Sequence, residues 1–242
     1  MTAPEILYRD QTMIAINKPA GLLVHRSAID YYETHNAQEC LQQHLNASVF
    51  PVHRIDKPTS GVLLFALNKE SAAIVSAQFA HNQITKRYNC VVRGFTDDCG
   101  TIDNPVRDKD APHKPRKPAT SHYTTLADIE LPLRVDKYPS TRYSLVEVRP
   151  VTGRRHQIRQ HMKHINHPLI GDTSYGKTVH NRFFKNHFGC ERLLLHAKEL
   201  TFLHPDNGTQ VTVIADNCDT QLRSVLAHEA WRSRTAKGQT QL

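Results

Sequence analysis

No apolar run in this 242-residue chain approaches the roughly 20 residues that a bilayer crossing takes; the longest, such as Val62–Leu67, are far shorter. The opening Met1-Thr2-Ala3-Pro4-Glu5 has neither the basic start nor the apolar stretch of a secretory leader. Cysteine is sparse and odd in number: Cys40, Cys90, Cys99, Cys190 and Cys218 form no Cys-x-x-Cys pair, which argues against a disulfide framework. A reducing cytoplasm is the simplest compartment for such a chain. Acids are also short, 23 Asp+Glu against 31 Lys+Arg, for a net charge of +8 and a pI near 9.3.

Hydrophobic residues make up 39% of the chain, enough for one large domain or two small ones, and the negative mean hydropathy fits a soluble protein. The excess of base is clustered. Residues 149–163 hold Arg149, Arg154, Arg155, Arg159 and Lys163 with no acid, and residues 107–118 hold five bases against Asp108 and Asp110. A single charge run is usually a solvated face; two clusters in a basic protein point to a polyanion surface, and so to nucleic acid.

The most chemically suggestive string is His53-Arg54-Ile55-Asp56-Lys57-Pro58-Thr59-Ser60-Gly61, followed at once by the apolar run Val62–Leu67. It sets the carboxylate of Asp56 on a turn beside a buried strand, where a rigid element fixes the direction of a reactive group. The plain alternative is an aspartate that merely closes its own turn.

Around it, alternation and caps predict strands over Glu5–Arg9, Met13–Asn17, Val62–Leu67, Ile84–Arg93, Tyr143–Val148, Leu194–Leu203 and Gln210–Ile214. Helices are expected over Ala37–Leu45 behind Asn36, from Asn68 to about Asn82, over Arg154–Ile165 and over Thr220–Trp231. Four prolines (Pro105, Pro112, Pro115, Pro118) make residues 105–118 an extended, mobile loop. No internal repeat or linker is visible. The pattern describes an α+β domain with a mixed, largely antiparallel sheet. His156, His161, His164 and His167 crowd one stretch, but without cysteine or a His-Glu-x-x-His string, and with Arg155 and Arg159 beside them, no metal site is expected.

The nine-residue string resembles the signature of the RluA-type pseudouridine synthases, with Ile55 where leucine is usual. Further matches occur in the family's order: Asn17-Lys18-Pro19-Ala20-Gly21-Leu22-Leu23-Val24-His25; Lys86-Arg87-Tyr88 followed by Val92-Arg93-Gly94; Gly153–Arg159 with His167–Asp172; and Leu195-His196-Ala197. Asn166 stands where the family often has glycine. The resemblance implies a pseudouridine synthase fold, a long bent sheet with flanking helices and a central catalytic cleft. It implies one catalytic domain over 1–242, with no N-terminal S4 domain because the first motif begins at Asn17.

It also implies an enzyme that breaks the N1–C1′ bond of uridine, turns the base and rejoins it through C5, with no cofactor and no metal. Asp56 matches the catalytic aspartate, acting as nucleophile or base, and Arg154 the arginine that pairs with it. Tyr88 matches the active-site tyrosine, Leu195 an apolar wall of the uracil pocket, and Arg54 the group that fills the gap left by a flipped base. His53 and Arg155 are weaker substrate-binding candidates. The expected partner is RNA, with no membrane and no obligate protein partner, and a monomer is the simplest state. The phrase Lys137–Tyr143 and the stretch Phe188–Ala197 resemble the branch of the family acting on uridine 65 of tRNA, and residues 105–118 and 173–191 are the expected RNA-gripping segments. An rRNA-directed synthase, or a non-catalytic RNA-binding protein or tRNA chaperone, is the alternative.

Overall fold

A computed structural model describes residues 4–25, 35–111, 113–216 and 218–234; Pro112 lies outside them. In chain order the elements are β1 (Glu5–Arg9), β2 (Met13–Lys18), α1 (Ala37–Leu45), β3 (Phe50–Pro51), β4 (Ser60–Ala66), α2 (Lys69–Ala80), β5 (Thr85–Arg93), β6 (Cys99–Asp103), β7 (Thr120–Leu131), β8 (Thr141–Pro150), α3 (Gln157–His164), α4 (Thr178–Phe188), β9 (Leu195–Leu203), β10 (Gln210–Ile214), α5 (Thr220–Leu226) and β11 (Arg232–Ser233). The chain forms two compact units, one of Met1–Tyr88 with His196–Cys218, the other of Asn89–Leu195 with Asp219–Leu242.

In the first unit, β2 pairs antiparallel with both β1 and β4, β3 lies antiparallel to β4, and β10 antiparallel to β9. The parallel contact of β4 with β9 sets Ser60 opposite His196 and Gly61 opposite Ala197. Every residue of β4 is buried, as its unbroken apolar run requires of a strand covered on both faces. One face packs Val62, Leu64 and Ala66 against Val75 of α2 and Phe202; the other packs Leu63 and Phe65 against Leu41 of α1. Asn36 and Asn68 cap α1 and α2 as read from sequence, accepting from the N–H groups of Glu39 and Ser71 at 3.0 and 2.8 Å.

In the second unit, β7 pairs antiparallel with β6, β8 and β11. The mixed, largely antiparallel α+β expectation therefore holds. Five elements were not expected: the two-residue strands β3 and β11, β6, the twelve-residue β7, and α4 inside the segment 173–191. The third helix starts at Gln157 rather than Arg154, because His156 takes a left-handed conformation (φ 54°), and α5 stops at Leu226. The loop 105–118 carries no strand but is tethered: Val106 and Lys117 exchange backbone hydrogen bonds, and the Gln160 amide holds both backbone groups of Arg107.

Candidate active site

The turn bearing Asp56 is built from below. Ile55 is buried in the cluster of Ile14, Ile16 and Phe65 and anchors one side of it. The Thr59 N–H donates to the Asp56 carbonyl at 2.9 Å, closing the turn, and the Gly21 N–H donates to the Lys57 carbonyl at 2.8 Å. Lys18 completes the frame. It is fully buried at the end of β2, and its ammonium donates to the carbonyls of Pro19 (2.8 Å), Leu22 (2.8 Å) and Lys57 (3.1 Å). The first motif thus clamps the turn of the second through backbone atoms, leaving the half-buried Asp56 side chain to be aimed by its turn. Lys18 was not among the residues singled out from sequence.

The rest of the signature is tied to β9. The Ser60 hydroxyl meets His196 Nδ1 at 2.8 Å, and His196 Nε2 donates to the Ala215 carbonyl at 2.8 Å. At Gly61 (φ 105°) a Cβ would overlap the Ala197 backbone, so only glycine lets the two strands approach there. His53 turns inward. Its Nε2 accepts the Leu64 N–H at 3.0 Å and its ring stacks on Phe79, centroids 4.6 Å apart. Burial, and then the Lys86 ammonium, lower its pKa to about 3, so His53 is neutral and holds the motif's exit into β4. Arg54 stays exposed beside it.

On β5, Lys86 is buried, Arg87 pairs with Glu199 at 3.2 Å, and Tyr88 packs partly buried on the Ile14–Phe65 cluster. Burial, and then the negative charge of Asp56, push the Tyr88 hydroxyl above its ordinary range. It therefore remains a protonated donor that senses the Asp56 carboxylate. Asp56 and Tyr88, 32 positions apart, are brought into electrostatic reach within one unit.

Arg154, Arg155 and Leu195 belong to the second unit. Arg154 is exposed; its N–H donates to Gln157 Oε1 at 3.0 Å and its Nε to the Pro118 carbonyl at 3.3 Å. Arg155 binds Asp108 at 3.0 Å and also Asp110, so it fastens the proline-rich loop. Leu195 is buried at the start of β9. Arg159 makes a two-pronged ion pair with Asp172 (2.8 and 2.9 Å), both side chains buried, joining the two halves of the third motif. The histidines of this stretch go to separate partners: His156 to the Tyr175 hydroxyl, His161 to Ser121 and the Asn104 carbonyl, His167 to the Arg93 carbonyl.

Two solved human structures share this architecture. RNA Pseudouridylate Synthase Domain Containing 1 superposes with a TM-score of 0.71 at 24% identity, covering 96% of this chain and 89% of that one. RNA Pseudouridylate Synthase Domain Containing 4 gives 0.69 at 24% identity, covering 92% of each chain. The fold is that of the pseudouridylate synthases. A family model described as RNA pseudouridylate synthase matches residues 12–164, and the chain belongs to that family. It is similar to the tRNA pseudouridine synthase C of Haemophilus ducreyi, 48% identical over 218 residues spanning 87% of this chain and 90% of that protein. The protein of the same description from Vibrio cholerae is 43% identical over 236 residues, 94% of this chain and 96% of its own length.

Proposed function

We propose that this chain isomerises uridine to pseudouridine in tRNA, at position 65, with Asp56 as nucleophile or base. The observation that carries the chemistry is a carboxylate on a turn clamped by a buried ammonium, with its charge felt by a protonated tyrosine. The reaction moves one bond: N1–C1′ breaks, C5–C1′ forms, C5 loses a proton and N1 gains one. No electron acceptor enters that balance. A carboxylate serves such a step by adding to carbon or taking a proton, and a fixed turn supplies the orientation. Tyr88 offers a flat face and a donor to the detached uracil. Arg154 and Leu195 enter the proposal on their motif positions, Arg154 as the cation serving the aspartate and Leu195 as an apolar wall of the base site. Arg54 fills the stack left by the flipped uridine. His53 and Arg155 act through what they hold, the signature and the loop 105–118.

The tRNA target is supported by relatives 43–48% identical along most of their length that carry the tRNA description. The proposal takes the chain as a single catalytic domain working as a cytoplasmic monomer. Among the described residues no helix is long and apolar enough to cross a membrane.

The test is site-mapped product formation. Unmodified tRNA and rRNA are incubated with the protein, labelled with carbodiimide and read by reverse-transcription stops. A stop at tRNA position 65 is the expected result. Stops confined to rRNA would keep the chemistry and overturn the target; tight tRNA binding with no stop would leave a binding protein.

A further inference from the structure

A cavity of about 640 Å³ in the second unit contains none of the residues assigned above to the reaction. Its volume falls within the range of about 300–1,000 Å³ usual for ligand sites. Four cations line it, Arg93, Lys137, Arg142 and Lys177, against the single carboxylate Asp136. Asp136 meets Lys177 at 3.4 Å, and Arg142 is held by Glu130 at 3.0 Å from outside the cavity. The Arg93 guanidinium is half-buried, and neither it nor the Lys137 ammonium makes a hydrogen bond to any described residue.

Two aromatic rings accompany these charges. Tyr138 is 62% exposed with the Lys137 ammonium 5.0 Å from its ring centre, and Phe95 is 37% exposed beneath the Arg142 guanidinium at 5.1 Å. The cavity wall is also tuned from behind. The Thr141 hydroxyl donates to the Tyr143 hydroxyl (3.0 Å), which therefore donates to His180 Nδ1 (2.9 Å). That order leaves the proton of His180 on Nε2, where no described residue accepts it. Burial, and then the Arg93 charge, lower the His180 pKa to about 4, so it is a neutral donor.

The Lys177 hydrogen bond, and with it the Arg93 charge, lowers the Asp136 pKa, but four cations still face that one carboxylate. Excess guanidinium and ammonium charge, a neutral N–H donor and flat exposed rings are what a nucleotide unit needs: cations for phosphate, a donor for a phosphate or base oxygen, a ring for the base. We propose that this cavity is a second RNA-contact site, gripping an unpaired nucleotide and its flanking phosphate in the tRNA substrate, with the base stacked on Tyr138. The inference rests on the reading of tRNA as substrate. A polymer fits better than a free nucleotide because the charge extends from the half-buried Arg93 out to the exposed Lys137, Arg142 and Lys177, along which a backbone can run.

Filter binding of unmodified tRNA across a salt series tests it, alongside KM and the single-turnover rate at saturating tRNA. Tyr138→Ala is expected to raise Kd and KM about tenfold. Tyr138→Phe, which keeps the ring, should restore both. Arg93→Gln with Lys137→Gln should lower the slope of log K against log salt by about two. Lys137→Gln alone, an exposed change that leaves the fold intact, should lower it by about one. The saturating rate should stay at the wild-type value throughout. Unchanged Kd and slope in these variants would overturn the proposal, as would Tyr138-dependent binding of uridine 5′-monophosphate with tRNA binding unaffected, which would assign the cavity to a free nucleotide. Binding is read without turnover, so a wild type that makes no pseudouridine would sink the catalytic reading and leave this comparison decisive.

Discussion

An ammonium with no solvent exposure, as at Lys18, is tolerated only where its N–H groups find acceptors, and Lys18 finds three carbonyls. One of them belongs to the residue after Asp56, so the hydrogen bonds that offset the cost of burying the charge also fix the turn that carries Asp56. Lys18→Met should lower kcat for pseudouridine formation about 100-fold through misplacement of Asp56, with KM changed little; an unaltered kcat would show that the turn holds itself. His53 makes a pH prediction. Its folded pKa of about 3 lies below the ordinary 6.5, so below 6.5 the unfolded chain takes up the proton more readily. The stability it contributes is complete above pH 6.5 and declines as pH falls toward 3. In His53→Gln, denaturant titrations across that window should give a shallower pH slope, by up to one proton; an identical slope would contradict the buried neutral imidazole. Asp56 and Tyr88 were legible as candidates, because reactive residue types stood in recognisable strings. Lys18 was not, since a lysine reads as surface, and the partners of His53, Leu64 and Phe79, come from later in the chain.

Elements whose signals are local were read almost to the residue: α1 and α2 from their Asn caps, and β10 from its alternation. The strand β7 was missed because its inward positions, Ser121, Tyr123, Thr125, Ala127, Ile129 and Leu131, include polar residues that find partners only in the fold, such as Gln157 and His161 for Ser121. The helix α4 has no side-chain cap, and its buried positions are His180 and Phe184, four apart, the first of them polar. Asn166, where the family often has glycine, has φ 66°, a conformation that asparagine tolerates next best to glycine. The Arg159–Asp172 pair fastens α3 to the loop before α4. Burial raises the Asp172 pKa, but the Arg159 hydrogen bonds and charge outweigh it and hold the carboxyl below the usual range. Asp172→Asn should destabilise the protein by about 3–5 kcal/mol in urea unfolding, since it strands a buried guanidinium; a change under about 1 kcal/mol would mean the pair is dispensable. Arg155→Gln should free the loop 105–118 from its anchor through Asp108 and Asp110 and speed tryptic cleavage after Arg116, with an unchanged digestion rate counting against that anchor.

Across the whole molecule, basic clustering pointed to a polyanion correctly in kind and too generously in number. The window 149–163 lacks acids in sequence, yet the fold brings Glu147 to Arg149, Asp108 and Asp110 to Arg155, and Asp172 to Arg159. What remains outside carboxylate pairs there is Arg154 and Lys163, while the cavity around Arg93 and Lys137 gathers charge from residues far apart in the chain. Neutralisation by tertiary neighbours cannot be read from a linear window, and neither can a cavity. The central claim is that Asp56 drives the isomerisation. It is tested most directly by tritium release from tRNA labelled at uridine C5, the carbon that gives up its hydrogen when the base is rejoined. Wild type should release the label, and Asp56→Asn should bind the same tRNA equally well and release none. Release by Asp56→Asn at the wild-type rate would contradict the account.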